Sequence, residues 1–456
     1  MEGRPQHGGR LSEETSTTLE VEELVATEFE RISEIARKYP EGKITVLAHY
    51  LNETNLKTSH REMDGKKANG VDDVTKEEYE RNLDENLREL VERMKKQSYK
   101  PQPVRRTYIP KETKGEMRPL GIPAYEDKLV QSNLNKILVS IYETEFLDCS
   151  YGFRPGRSCH DAIKALDSIL SRKVNYVVDA DIKSFFSHVN HEWMMKFLER
   201  RIGDPSIIRL VYRFLKSGVM EEGEVHATEE GTPQGGIISP TLANVYLHYV
   251  LDIWFEKIVK KYSDGEAYLI RYADDFVCCF QYKEDAERFY KALIERLSKF
   301  GLELAIEKSK IIEFGRFAEE NREKRGEDKP ETFDFLGFTH YCSKSRNGKF
   351  RVKRKTSKKK FRASLKRMKM WLKRNMHEPV KNLIEGVNAK LRGHFNYYGI
   401  TDNSKALADY RYIIRKMLFK ALRRRGQKKR LTWDRYANIL KRHPLVNPKI
   451  VFSLYS

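Results

Sequence analysis

The chain has 456 residues, of which 39% are hydrophobic and 33% charged. That length and apolar share exclude a globally disordered chain and leave room for several packed units. Lys and Arg number 86 against 66 Asp and Glu, a formal net charge of +20, an excess that points to a polyanionic partner such as nucleic acid.

Residues 1–18 are polar and rich in Gly, Ser and Thr, the composition of a flexible leader. From Val21 to Tyr39 the apolar residues Val21, Leu24, Val25, Phe29, Ile32 and Ile35 recur at helical spacing, and 76–97 reads as a second amphipathic helix. The middle of the chain mixes helical stretches (127–146, 191–202, 205–216, 240–261, 284–300) with short strand-like runs at Tyr176–Val178, Ala267–Tyr272 and Phe276–Phe280. An apparent hairpin at 267–280 favours an α+β fold over a repeated βαβ barrel. Beyond about residue 343 the composition shifts. The densely cationic 351–374 keeps helical apolar spacing at Phe361, Leu365, Met368 and Leu372, and the basic block 423–430 follows the aromatic stretch 391–400. This region is expected to be a separate helical domain. The five cysteines show no Cys-x-x-Cys spacing, so neither a disulfide framework nor the usual zinc site is encoded. No secretory signal and no bilayer-length apolar run occur, and the expectation is a soluble intracellular protein.

The sharpest feature is LIRYADDFVCCF, 269–280, where two β-prone runs flank Asp274 and Asp275. A turn without Gly or Asn is not chosen for ease of turning, and adjacent acids repel unless a cation offsets them. A solvated surface turn is the plain alternative. YVVDADIKSFF, 176–186, weakens that alternative, because Asp179 and Asp181, two apart in a strand, point to one face. Side by side, the two segments would gather three or four carboxylates, the oxygen ligands that hard divalent cations take. The implied chemistry is nucleotidyl transfer.

These segments resemble those of group II intron-encoded reverse transcriptases. YADD (272–275) resembles the family's active-site motif, DADIKSFF (179–186) its first catalytic aspartate motif, and TPQGGIISPTLANVYLH (232–248) its template- and nucleotide-contacting loop and helix. YIPKETKGEMRPLGIP (108–123) and CSYGFRPGRS (149–158) resemble fingers segments, KANGVDDVT (67–75) the extra N-terminal block, FDFLGF (333–338) a later palm motif, and LRGHFNYYG (391–399) the thumb or maturase region.

The resemblance implies a right-hand polymerase with a leader (1–18), an N-terminal extension (19–99), fingers (100–175), a catalytic palm (176–342) and a helical thumb or maturase domain (343–456). It implies catalysis by Asp181, Asp274 and Asp275, with a metal set of Asp181, Ile182, Asp274 and Asp275 holding two Mg²⁺ ions, Mn²⁺ being able to substitute. Asp179 matches no catalytic position. Lys111, Arg118, Phe186, Gln234, Gly235 and Lys308 would contact the dNTP, with Phe186 excluding a 2′-hydroxyl. Surface charge, core packing and a plain loop are the respective alternatives. Arg154, Lys358, Lys359, Lys360, Arg423, Arg424 and Arg425 would bind RNA; Phe395, Tyr397 and Tyr398 would either contact RNA or pack in a core.

The expected partners are an RNA template, the parent intron RNA, a DNA primer or target and dNTPs, in a monomer or dimer of the bacterial cytoplasm, associated with the nucleoid. Ser187 departs from the acid usual after the motif aromatic, and the Cys/His pairs of a homing nuclease are lacking, so bottom-strand cleavage is not expected. Two other readings stand beside this one: an RNA-binding splicing cofactor without polymerase activity, and a domesticated reverse transcriptase in DNA repair or phage defence.

Overall fold

The computed structural model describes residues 9–110, 117–221, 223–227, 230–232, 235–345, 347–425 and 431–455, with side chains from Glu23 onward. Its strands are β1 (Val104–Pro110), β2 (Met117–Ile122), β3 (Tyr176–Asp181), β4 (Val219–Glu221), β5 (Glu224–His226), β6 (Ala267–Tyr272), β7 (Asp275–Phe280), β8 (Lys310–Glu313), β9 (Phe333–Phe335), β10 (Phe338–Lys344) and β11 (Phe350–Thr356). They form three sheets, ordered β2-β1-β4-β5, β6-β7-β3-β8 and β11-β10-β9.

The first helix spans Gly9–Lys38, beginning inside the segment expected as a leader. Once the packed end at Phe29 and Ile32 is helical, each further residue adds one hydrogen bond, so the helix propagates into polar sequence. It packs with Glu53–Glu62 against the long buried helix Tyr125–Tyr142.

The central sheet explains the continuous apolar run of β7. Val178, Ala180, Phe276, Cys278 and Phe280 enter the largest core with the helices Ser239–Leu247 and Lys283–Lys299. Val177, Ile270, Val277, Cys279 and Ile312 point the other way, into a core shared with the helix Cys159–Leu170 and the third sheet. Both faces are covered, so alternation between polar and apolar residues is lost.

One expectation is corrected here. Residues 351–356, read as the start of a cationic helix, are strand β11, paired along its length with β10. Val352 joins the core of the central sheet, and Arg354 is fully buried, its guanidinium paired with Asp167. The helical region therefore starts at Lys358 rather than about 343. Alternating side chains carried the strand, but the lysines masked that period. The helices Lys358–Asn375, Val380–Tyr398, Ser404–Arg423 and Trp433–Arg442 then build a core of their own around Leu372, Val387, Leu391, Ile414 and Leu418. Arg351 grips Asp402 through two bonds of 2.8 and 3.0 Å, tying the third sheet to the helical region.

Candidate active site

Strand β3 pairs antiparallel with β7, and the register sets Asp181 directly opposite Asp275. Asp274 lies in the two-residue turn joining β6 to β7, so the expected hairpin forms and the acidic segments lie side by side. The turn is a strained one: Ala273 sits at φ +58°, where a Cβ is disfavoured.

The carboxyls feel one another. Burial in the surrounding protein raises Asp274 above the ordinary carboxylate range, with Asp181 adding to the rise and the Arg118 guanidinium opposing it. Asp275 is pushed up to about 7 by the protein mass around it and by Asp179 and Asp274, although its side chain opens to solvent; the Leu336 backbone N–H donates to it and works the other way. Asp179 rises to about 6 through burial, with Lys310 opposing and Asp334 and Asp181 reinforcing. The Lys308 ammonium stands 3.4 Å from Asp181 Oδ2. The backbone beneath is pinned, since Asp181 N–H donates to Ser309 Oγ (3.2 Å) and its carbonyl accepts from Ala305 N–H (2.8 Å).

Around the acids, the expected nucleotide-contacting parts are linked by backbone. Gly231 has φ +85°, and a Cβ there would stand 2.8 Å from the Phe186 carbonyl; Thr232 N–H donates to that carbonyl at 2.8 Å. Gly235, at φ +114°, lies against β2, where a Cβ would meet the Gly121 carbonyl at 2.6 Å. Only glycine fits both the angle and the space. Gly231 thus touches the backbone of half-buried Phe186, and Gly235 touches the strand that carries the exposed Arg118. The Ile182 side chain is buried in the core, leaving only its backbone toward a ligand. Lys111 and Gln234 lie outside the described residues.

Arg154 is corrected. Its side chain is buried, forms a forked pair with Glu143 (2.9–3.1 Å) and donates to the carbonyls of Leu147 and Ser150. Its donors are engaged inside the fold rather than presented to RNA; its partner, just past the end of the helix Tyr125–Tyr142, lies outside the local motif. Lys358 and Lys359 are exposed at the start of their helix, and Arg423 and Arg424 at the end of theirs. Phe395 is core, and Tyr397 donates from its hydroxyl to the Leu336 carbonyl (3.0 Å).

Sequence reading missed the supports of the turn: Arg271, Asn244, Ser150 and Gly152. An arginine inside an apolar strand run was the available signal.

The residues fit a hard divalent cation by their chemistry. The donors are carboxylate oxygens whose mutual repulsion a cation relieves. Among the described residues no three His, Cys, Asp or Glu side chains converge into a ready-made cage.

An antiparallel sheet with acids at a hairpin and at the end of the neighbouring strand, flanked by a second sheet and a helical domain, defines a right-hand polymerase fold. Residues 109–340 match the model described as reverse transcriptase (RNA-dependent DNA polymerase), and the chain belongs to that family. Residues 358–438 match the group II intron, maturase-specific domain. The chain is 45% identical over 165 residues to the group II intron-encoded protein LtrA of Lactococcus lactis subsp. cremoris, covering 36% of this chain and 27% of that protein. It is 37% identical over 202 residues to protein YkfC of Escherichia coli K12, covering 43% and 52%. The matched segments thus span about a quarter and about half of those relatives. A solved telomerase from Candida albicans shares 13% identity at a TM-score of 0.43, over 76% of this chain and 62% of that one.

Proposed function

We propose that this chain is an RNA-directed DNA polymerase that adds dNTPs to a DNA 3′-OH on an RNA template. The observation that carries the reading is the register of Asp181 against Asp275, with Asp274 in the adjoining turn. Asp181, Asp274 and Asp275, with the Ile182 backbone, would hold a pair of Mg²⁺ ions, Mn²⁺ being able to replace them. When bound, such ions activate the primer hydroxyl and offset charge on the leaving pyrophosphate. Arg118 and Lys308 orient the triphosphate by charge-assisted bonds, and Lys111 and Gln234 belong to the same set by their motifs. Phe186 blocks the space a ribose 2′-hydroxyl would need. Gly235 lets the loop backbone approach the nucleotide.

A second role is favoured by the match of 358–438: the helical region binds intron RNA and assists splicing, with Lys358, Lys359, Lys360, Arg423, Arg424 and Arg425 as phosphate contacts. A splicing cofactor without polymerase activity and a domesticated enzyme of repair or defence are the competing readings. The domain division proposed is an N-terminal extension, fingers from about residue 100, palm from 176, and a helical thumb from 358 on the helix boundary.

Primer extension on an annealed RNA template with dNTPs and Mg²⁺ tests the reading. Asp274→Ala should abolish extension and leave RNA affinity within about threefold, since it removes one of the three carboxylates that would hold the metal and leaves the basic helical region untouched. An inactive wild type that still binds RNA tightly would move the assignment to the splicing cofactor.

A further inference from the structure

The hairpin turn is held by a buried polar cluster that the proposed chemistry does not use. Arg271, on β6 two residues before the turn, has no solvent exposure, and all its guanidinium donors are engaged. Nε and Nη2 donate to the two carboxylate oxygens of buried Asp252 at 2.7 and 2.6 Å. Nη2 also donates to Ser150 Oγ at 2.7 Å. Nη1 donates to Asn244 Oδ1 at 2.8 Å and to the Ala273 carbonyl at 2.9 Å. That last bond reaches the residue at φ +58° immediately before Asp274.

The opposite side of the turn is closed by the chain at 149–152. Arg271 N–H donates to the Cys149 carbonyl (2.8 Å), and Tyr151 N–H donates to the Arg271 carbonyl (2.9 Å), so this segment lies along the outer edge of β6. Asn244 Nδ2 donates to the Gly152 carbonyl at 2.6 Å. A Cβ on Gly152 would stand 2.4 Å from the Ala273 nitrogen, a distance no side chain tolerates. The turn is thus gripped through its carbonyl and pressed from its amide side.

We propose that Arg271, with Asn244, Ser150 and Gly152, is a positioning clamp that keeps the Ala273–Asp274 turn in its left-handed form and so sets where the Asp274 carboxylate stands. None of these side chains needs to touch substrate. A left-handed alanine is unfavourable on its own and persists only where its surroundings over-determine it. Five directed bonds onto one planar guanidinium supply that constraint, which a lysine could not reproduce. For its catalytic consequence the inference rests on the polymerase reading above.

Arg271→Ala would leave Asp252 buried and unpaired, and its failure to fold would be uninformative. Asn244→Ala and Ser150→Ala each remove one partner of the guanidinium and keep the ion pair. Single-nucleotide extension and template–primer binding would be measured on the full chain, with hydrogen exchange of the peptide carrying residues 269–276, at temperatures where each variant is folded. The expected result is a kcat lowered about 10- to 100-fold for Asn244→Ala, as for a misplaced catalytic group, with KM for dNTP and primer affinity near wild type. Exchange in the 269–276 peptide should quicken. Loss of activity only in proportion to the unfolded fraction, or unchanged exchange at the turn, would overturn the clamp. A wild type that extends no primer defeats the polymerase reading instead, and the exchange arm still decides whether the cluster holds the turn.

Discussion

Phe186 is half-buried, its backbone tied to Thr232 and its ring edge-on to Phe185 at 5.3 Å between centroids. The ring packs in part against the main core and keeps part of its surface exposed, where it is free to meet a nucleotide in the proposed site. Phe186→Ala is therefore expected to raise ribonucleotide incorporation relative to deoxynucleotides by about tenfold or more, about 1.4 kcal/mol of lost discrimination. Single-nucleotide kinetics with paired rNTP and dNTP would show it, and unchanged sugar selectivity would return Phe186 to a packing role.

The acids also set a pH dependence. Asp275, whose side chain itself opens to solvent, is raised to about 7 and Asp179 to about 6, both above their unfolded values, first by the surrounding protein and then by neighbouring carboxylates. Each therefore binds its proton more tightly in the folded chain. The stability this contributes is full below the unfolded carboxylate range and is lost as pH rises toward the folded values. In the absence of divalent cation, wild type should lose melting temperature relative to Asp275→Asn between about pH 4 and pH 7, whereas the buried histidines His248 and His394, both lowered to about 4, push both proteins the other way. Added Mg²⁺ should restore more of it at pH 7.5 than at pH 5.5. Buried Asp127, raised to about 7, titrates in the same window in both proteins and cancels in the comparison. Identical pH profiles of melting temperature for Asp275→Asn and wild type would argue against carboxyl crowding.

At the scale of elements, the nucleotide loop depends on two backbones meeting. Gly235 packs on Gly121 of β2 at a distance closed to any side chain. Gly235→Ala adds both the strain of φ +114° and a clash with the Gly121 carbonyl, so the loop must lift from the strand that carries Arg118. Strain of this kind costs about 1–3 kcal/mol. KM for dNTP should rise about tenfold with at most a few degrees lost in melting temperature, because Gly235 itself is exposed. Steady-state kinetics would check it, and a normal KM would mean that the loop is not part of the nucleotide pocket.

The whole molecule carries a net charge of +20, and the helical region concentrates part of it on exposed helix ends. Three lysines at the start of Lys358–Asn375 stand at the positive end of the helix dipole, an arrangement unfavourable without an anion nearby. Replacing Lys358, Lys359 and Lys360 by Gln should lower the log–log salt slope of RNA binding by about 2, from roughly 0.7 per phosphate contact on single strands. Filter binding across a salt series would measure it. An unaltered slope would make the run a solvated face.

Much of this was legible in the linear chain. The helices of the middle region announced themselves by period, the strands at 176 and 267–280 as short β-prone apolar runs, and Asp181, Asp274 and Asp275 by ending or joining those runs. The third sheet did not: in β11 the alternating inward residues include Arg354, which looks like surface charge until Asp167, far away in sequence, is seen to meet it. Arg154 misled in a related way, its partner Glu143 lying outside the motif that carried it, at the end of the helix Tyr125–Tyr142. The sequence by itself determined the helices of the middle region, the strands of the acidic segments and which acids are available, because local residue chemistry decides them. Register, the Asp181–Asp275 pairing and the grip of Arg271 on the turn were decided only by the tertiary structure. Buried charges and left-handed turns are tolerated only where distant segments supply their partners.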